Sequence, residues 1–189
     1  MGRNITRALL GQNTQAHPEL KLVALNDLAP IEHSAHLLKY DSVYGRYHKP
    51  ISVKENQILI ADESIRYFSE ADPKKVGWGS LNIDLVLECT GCFASAEKSS
   101  SHLHAGATRV LISQPAPGVD KTVVFGVNHE TLLDSDLIIS NASCTTNCLA
   151  PLAKVINDHF EITEGLMITT HAYTNDQILL DVDHSDLYR

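Results

Sequence analysis

Several features are scarce in this sequence, and each scarcity excludes a class of protein. Basic residues are few: 15 Lys and Arg face 23 Asp and Glu, which gives a net charge of −8 at neutral pH. Proteins that bind nucleic acid carry a basic surface, so we expect no nucleic-acid partner. No apolar run approaches the ~18 residues of a membrane span, and no signal peptide precedes the first helical pattern. We therefore expect a cytoplasmic protein without a membrane partner.

Cysteine is also sparse, with four in 189 residues, but the four lie in two close pairs. Cys89 and Cys92 form one pair, and Cys144 and Cys148 form the other. Such spacing permits a zinc site or a redox module. The first pair, however, follows an apolar strand-like run, and the second is spaced by one helical turn. We therefore predict no metal site and no disulfide, and we keep a redox or structural module as a rival hypothesis.

The chain alternates helical and strand-like segments. Residues 2–11 predict a helix, residues 20–26 a strand that ends at Asp27, and residues 83–91 a strand that ends in the Thr90-Gly91 turn. Helix, strand and then an acidic residue is the second half of a Rossmann unit, in which that carboxylate binds a ribose. The pattern predicts an α/β fold with a doubly wound, mostly parallel sheet.

The segment SNASCTTNCLAP, residues 140–151, is the centre of the predicted chemistry. An apolar run at 137–139 predicts a strand, and helical periodicity follows from about Thr145 to Asp158. Cys144 therefore falls at a strand-to-helix junction, where unpaired N–H groups and the helix dipole favour the reactive thiolate. A small buried cysteine is the alternative, but its flanking residues, Ser143 and Thr145, are polar rather than aliphatic.

A histidine segment follows at a suitable distance. Residues 166–170 are rich in branched side chains and predict a strand, and His171 stands at its end, where the chain turns polar. Two parallel strands joined by a helix have their carboxyl ends at one edge of a sheet. We therefore expect His171 beside Cys144, the arrangement that activates a thiol nucleophile.

These motifs support a resemblance. SNASCTTNCLAP followed by HAYTNDQ at 171–177 is similar to phosphorylating glyceraldehyde-3-phosphate dehydrogenase, and the resemblance extends over essentially all of the chain. It implies a Rossmann-type NAD-binding domain at 1–143 that lacks its first strand, followed by the start of an α+β catalytic domain at 144–189. The chain thus looks truncated at both ends, and we expect it to be inactive and poorly stable on its own.

The resemblance also assigns roles to individual residues. It implies NAD as cofactor and a homotetramer as the family's assembly. The residues that it implies for the cofactor are Gly2, Asp27, Thr90, Gly91 and Ser113. The residues that it implies for glyceraldehyde 3-phosphate and inorganic phosphate are Ser143, Thr145, Thr174 and Asp176.

The implied reaction is a glycolytic or gluconeogenic oxidation. Cys144 attacks the aldehyde, His171 takes the hydroxyl proton as general base, hydride leaves to NAD, and phosphate releases the thioester as 1,3-bisphosphoglycerate. Asp27 favours NAD over NADP because a carboxylate repels the additional phosphate. Erythrose-4-phosphate dehydrogenase, or a non-catalytic fragment of the family, is the alternative function.

The sequence departs from the family at three positions. Tyr44 stands at the usual histidine of a YDSVHG segment, Ala71 where the family often has an arginine near the adenine, and Gln114 where many members have alanine. The second departure puts one cofactor contact in doubt.

Overall fold

The computed structural model describes residues 1–11 and 19–174 of the chain. These residues divide between two compact units, Met1–Pro151 and Leu152–Arg189. The division falls within the last helix.

The first unit begins with a helix, as predicted, and continues as alternating strands and helices. The helices are α1 (Gly2–Gly11), α2 (Ile31–Lys39), α3 (Ala96–His104) and α4 (Cys144–Phe160), the last of which runs into the second unit. The strands are β1 (Ala24–Asn26), β2 (Tyr40–Asp41), β3 (Gly45–Arg46), β4 (Ile51–Lys54), β5 (Gln57–Ile60), β6 (Glu63–Phe68), β7 (Leu85–Glu88), β8 (Arg109–Ile112), β9 (Lys121–Thr122) and β10 (Ile138–Ser140).

The strands form three sheets within the described residues. The first has the order β1-β6-β5-β4, in which β1 is parallel to β6 and the other pairs are antiparallel. The second, β7-β8-β10-β9, is parallel throughout. A short hairpin of β2 and β3 forms the third. Helices that alternate with mainly parallel strands confirm the predicted α/β class.

Each four-stranded sheet has an apolar core of its own. Against the first sheet, α2 packs on β4 and β5 and buries Leu38, Ile58 and Ile65 almost completely. Against the second, α3 packs on β8 and β10, above Val110 and Ile112. The alternating apolar residues of these strands explain the burial, since every second side chain of a strand points to one face.

A tight glycine contact joins the end of α3 to the turn that contains Trp78. Gly106 ends the helix with φ +98°, and its N–H bonds to the carbonyl of Leu103 at 2.9 Å. A Cβ on Gly106 would lie 2.6 Å from the backbone of Gly79. Glycine is thus required here both for its left-handed conformation and for the close approach of two backbones.

The strand predicted at residues 166–170 is absent, so that prediction was wrong. Residues 161–174 carry no helix or strand and are exposed. Branched residues favour a strand only when a neighbouring strand pairs with it, and none of the three sheets described above includes this segment.

We predict that Gly106→Ala destabilises the first unit far more than Gly45→Ala. Gly45 also has a positive φ, +67°, but a Cβ there would meet nothing within 4 Å. Gly45→Ala should cost about 1 kcal/mol, the cost of the left-handed backbone, and Gly106→Ala about 1–3 kcal/mol more from the overlap with Gly79. Urea unfolding measures both changes, and equal losses would contradict the role of this contact.

Candidate active site

The carboxyl ends of β7, β8 and β10 meet at one edge of the parallel sheet. Backbone hydrogen bonds continue past the strand ends. The N–H of Ser113 donates to the backbone carbonyl of Glu88 at 3.0 Å, and the N–H of Asn141 donates to the backbone carbonyl of Ile112 at 2.9 Å. The fully buried hydroxyl of Ser140 donates to the carbonyl of Gln114 at 2.8 Å. The three turns that follow these strands are therefore held in a fixed relation.

Cys144 lies at this edge, as the first residue of α4. Between β10 and the helix, Ala142 is buried and takes a left-handed conformation with φ +56°. Its N–H donates to the hydroxyl of Ser140 at 3.1 Å. This turn directs the chain into the helix and leaves the Cys144 thiol exposed. The predicted strand-to-helix junction is thus present, and the thiol lies where a helix has unpaired N–H groups.

Ser143 caps the helix that carries the thiol. Its hydroxyl accepts a bond from the N–H of Thr146 at 3.0 Å and bonds the Thr146 hydroxyl at 2.7 Å. The amide of Asn147 donates to the carbonyls of Asn141 and Ser143. Sequence reasoning gave Ser143 a substrate contact, whereas its contacts here hold the first turn of α4 in place. Thr145 is half-buried in that same turn.

The other predicted substrate residues lie in the second unit. His171 and Thr174 are exposed, in the segment without regular secondary structure. Asp176 lies outside the described residues. Because Cys144 and His171 belong to different units, their pairing stays a prediction.

Four of the five predicted cofactor residues adjoin one another around the end of β7. A Cβ on Gly2 would lie 3.4 Å from the Cβ of Cys89, so the first turn of α1 lies against this strand end. The Ser113 side chain lies close enough to the Cys89 thiol to lower its pKa. Thr90 and Gly91 follow directly, with Gly91 at φ +83°. The structure therefore brings residues from α1, β7 and β8 to a common edge.

Asp27 follows β1 in the first sheet and is exposed. One of its carboxylate oxygens accepts a bond from the N–H of Ala29 at 3.0 Å, which shapes the turn into α2. Its carbonyl accepts a bond from the hydroxyl of Tyr67 at 3.2 Å. The carboxylate thus has a local structural role in addition to the ribose contact predicted for it.

Cys89 and Cys92, the two cysteines that follow β7, differ in environment. Burial raises the pKa of the Cys89 thiol, and the Ser113 side chain opposes this only in part. Cys92 is exposed on the turn that follows.

Within residues 1–11 and 19–174, no group of three or more His, Cys, Asp or Glu side chains is placed to hold a metal ion. In the same residues, no helix is long and apolar enough to cross a membrane.

Sequence reasoning missed three residues of this edge. The amide of Gln114 donates to the carbonyl of Gly91 at 3.4 Å, a weak link between two turns. Glu88 and His102 form a buried pair, with 3.0 Å between a carboxylate oxygen and the ring Nε2. The only signal in the sequence was a charged residue at the end of an apolar strand, which is unusual because buried carboxylates need partners.

A parallel sheet with a glycine-containing turn at its carboxyl edge, together with an acidic residue after a strand of the first sheet, is typical of a dinucleotide-binding α/β protein. Comparison with known proteins agrees. Residues 1–96, just over half of the chain, match the family model "Glyceraldehyde 3-phosphate dehydrogenase, NAD binding domain". Residues 143–189 match the model of the C-terminal domain of the same family.

Individual relatives carry the same name. The chain is 48% identical over its full length to glyceraldehyde-3-phosphate dehydrogenase of Xanthobacter flavus, where it covers 56% of that protein. It is 53% identical over 88% of its length to the enzyme of Clostridium pasteurianum, covering 50% of it. With the enzyme of Geobacillus stearothermophilus the identity is 46%, over 55% of that protein.

The chain belongs to the glyceraldehyde-3-phosphate dehydrogenase family. It spans about half the length of the curated relatives that it matches. The match to the NAD-binding domain confirms the predicted Rossmann fold and NAD as the cofactor that the family model indicates.

We predict that Ser143→Ala lowers the free energy of unfolding by about 1 kcal/mol, the usual cost of an N-cap. Ser143→Asp is the matched control, because its carboxylate still accepts the N–H of Thr146 and should keep the stability near that of the wild type. Urea unfolding of the two variants measures the difference. Equal stability of wild type and Ser143→Ala would show that the hydroxyl does not cap α4.

Proposed function

We propose that the enzyme to which this chain corresponds oxidises glyceraldehyde 3-phosphate to 1,3-bisphosphoglycerate with NAD and inorganic phosphate. The observation that carries the proposal is the position of Cys144. Its thiol is exposed at the N-terminus of α4, at the same edge of the parallel sheet as the turns after β7 and β8. A thiol in such a position is suited to act as a nucleophile.

The residues at this edge fit NAD. Gly2 lets the first turn of α1 lie close to the end of β7, and Gly91 adopts a positive φ that other residues disfavour. Thr90 and Ser113 supply hydroxyl groups beside them. The exposed carboxylate of Asp27 suits a ribose hydroxyl and disfavours the additional phosphate of NADP. When bound, NAD accepts the hydride that the substrate loses.

The protein residues account for the other steps. The Cys144 thiolate attacks the aldehyde carbon and forms a thiohemiacetal, and His171 removes the hydroxyl proton as general base. Loss of hydride converts this adduct to a thioester of Cys144. Inorganic phosphate then attacks the thioester carbon, which releases the acyl phosphate and restores the thiolate.

The substrate and phosphate are anions, so the site must supply donors. The N–H groups at the start of α4 favour an anion there, and Ser143 contributes by holding that helix turn through its bond to Thr146. We assign Ser143, Thr145, Thr174 and Asp176 to the binding of the anionic groups.

The family suggests the wider context of this reaction. We propose a cytoplasmic homotetramer that acts in glycolysis or gluconeogenesis. We also propose that an NAD-binding domain at 1–143 meets the catalytic domain at 144. Because the chain spans about half of its relatives, the reaction is proposed for the assembled enzyme, and the 189-residue chain alone is predicted to be inactive.

We predict that iodoacetamide modifies Cys144 about tenfold faster than the other cysteines near neutral pH, because thiolate is the reactive form. Cys92 and Cys148 are matched internal controls, since all three thiols are exposed in the structure. His171→Ala should reduce the advantage of Cys144, whereas His159→Ala, at an exposed histidine of α4, should leave it unchanged. Peptide mass spectrometry measures the four rates.

Equal rates at the three exposed cysteines would contradict a nucleophilic role for Cys144 in this chain. An assay of NADH formation with glyceraldehyde 3-phosphate and phosphate tests the activity directly. Erythrose 4-phosphate in the same assay distinguishes the alternative substrate, and detectable turnover by the 189-residue chain would overturn its predicted inactivity.

A further inference from the structure

A buried carboxylate lies directly beneath the turn that carries Thr90 and Gly91. Glu88, the last residue of β7, and His102, on α3, are each only 4% exposed. A carboxylate in such a position is costly unless several donors bind it. The neighbours of both oxygens therefore show what the carboxylate does.

Three hydrogen bonds satisfy the Glu88 carboxylate. Its Oε1 accepts bonds from the N–H and the hydroxyl of Thr90, at 2.7 and 2.5 Å. Its Oε2 lies 3.0 Å from the Nε2 of His102. Burial acts to raise the pKa of Glu88, but the bonds from His102 and Thr90 outweigh it and leave the pKa below its ordinary value. The carboxylate is therefore ionised at neutral pH.

A hydrogen bond from Trp78 determines which nitrogen of His102 carries the proton. The indole Nε1–H of Trp78 points to the Nδ1 of His102 at 3.2 Å. An indole N–H only donates, so Nδ1 must accept and carries no proton. The proton of a neutral ring then lies on Nε2 and is donated to Glu88. The Phe93 ring also packs on His102, with 5.8 Å between the ring centroids. The His102 ring contacts one charged group, the carboxylate of Glu88, among the ion pairs of the described residues.

The bonds to Thr90 determine the shape of the turn. The Thr90 hydroxyl donates to Glu88 and accepts the N–H of Cys92 at 3.1 Å. This places Gly91, with its positive φ, between two fixed residues. Although Thr90 itself is exposed, its backbone and hydroxyl are thus held by a group buried behind the sheet edge.

We propose that Glu88 and His102 are positioning residues of the cofactor edge. The neutral ring, held in one tautomer by Trp78, keeps the buried carboxylate directed at Thr90 and so fixes the Thr90–Gly91 turn for binding NAD. The proposal rests on the proposed function in one respect, namely that this turn contacts NAD.

The first test needs no substitution. In the wild-type chain at pH 7, the ¹⁵N resonances of His102 should show a neutral ring with its proton on Nε2. The amide protons of Thr90 and Cys92 should be protected from exchange with solvent. A cationic ring, a proton on Nδ1, or unprotected amides at both positions would overturn the proposal.

The second test compares two substitutions at His102. His102→Leu removes the donor to Glu88, and we expect NAD to bind about tenfold more weakly, the usual effect of losing a bond to a charged group. His102→Gln keeps an amide donor and should remain within about threefold of the wild type. His104→Gln, at an exposed histidine of the same helix, is the matched control. Titration of the Thr90 and Gly91 amide resonances with NAD measures each affinity.

If His102 only packed in the core, the result would differ. Both substitutions would then lower the thermal midpoint without changing the affinity of the folded protein for NAD. Folded His102→Leu with wild-type affinity, or His102→Gln as weak as His102→Leu, would therefore overturn the proposal. Folding is followed by circular dichroism and by the emission of Trp78, the only tryptophan in the sequence.

If His102→Leu does not fold, the Glu88→Gln variant tests the proposal instead. The introduced amide offers one acceptor where the carboxylate offered two. Its NH2 therefore faces either the Nε2–H of His102, which moves the ring proton to Nδ1 against the Trp78 N–H, or the N–H of Thr90, which loses its acceptor. We expect a shifted indole or Thr90 amide resonance and weaker NAD binding, and unchanged resonances with unchanged affinity would overturn the proposal. A wild-type chain that does not bind NAD would instead overturn NAD binding by this turn in the 189-residue chain, while the His102 tautomer still tests the network.

Discussion

The parallel hydrogen bonding of β7, β8 and β10 is the constraint on which the rest of the site depends. Parallel strands have their carboxyl ends at one edge, so the turns after Glu88, Ile112 and Ser140 must lie side by side. These turns carry the residues that are proposed for the chemistry. Two of the strands lead to Thr90 and Ser113, which are proposed to contact the cofactor, and the third leads into the helix of Cys144.

A second group of interactions holds this edge from within. The Ser140 hydroxyl and the Glu88 carboxylate both bond to neighbouring turns. Each lies at the end of an apolar strand, where a polar group is costly unless it has a partner. The polar residues beneath the edge and the exposed residues upon it therefore form one connected arrangement, in which the buried members restrict the exposed ones.

Most of this architecture could be predicted from the sequence because it is recorded in local patterns. Apolar runs predicted β1, β7 and β10, and helical periodicity predicted α1 and α4. The change from an apolar run to small polar residues placed Cys144 at the junction of a strand and a helix. Such patterns reflect the residue spacing of a single helix or strand, so they can be recognised without knowing how the elements pack together.

The remaining features depend on groups that are distant in the chain. Glu88 and His102 are 14 residues apart, and no spacing rule relates the end of a strand to a buried face of the next helix. The segment at 166–170 has the composition of a strand, yet strand formation requires a partner that composition does not specify. Ser143 has a second role that its predicted substrate contact does not reveal, because its hydroxyl bonds the N–H and the hydroxyl of Thr146, three residues later.

The bond between Ser140 and Gln114 has a consequence for which residues the sheet edge tolerates. The Ser140 hydroxyl contacts the backbone carbonyl of Gln114 and not its side chain, so this link is preserved whatever amino acid occupies position 114. The glutamine side chain adds only the long bond to Gly91. A substitution at position 114 can therefore change the surroundings of one turn without loosening the strands beneath it.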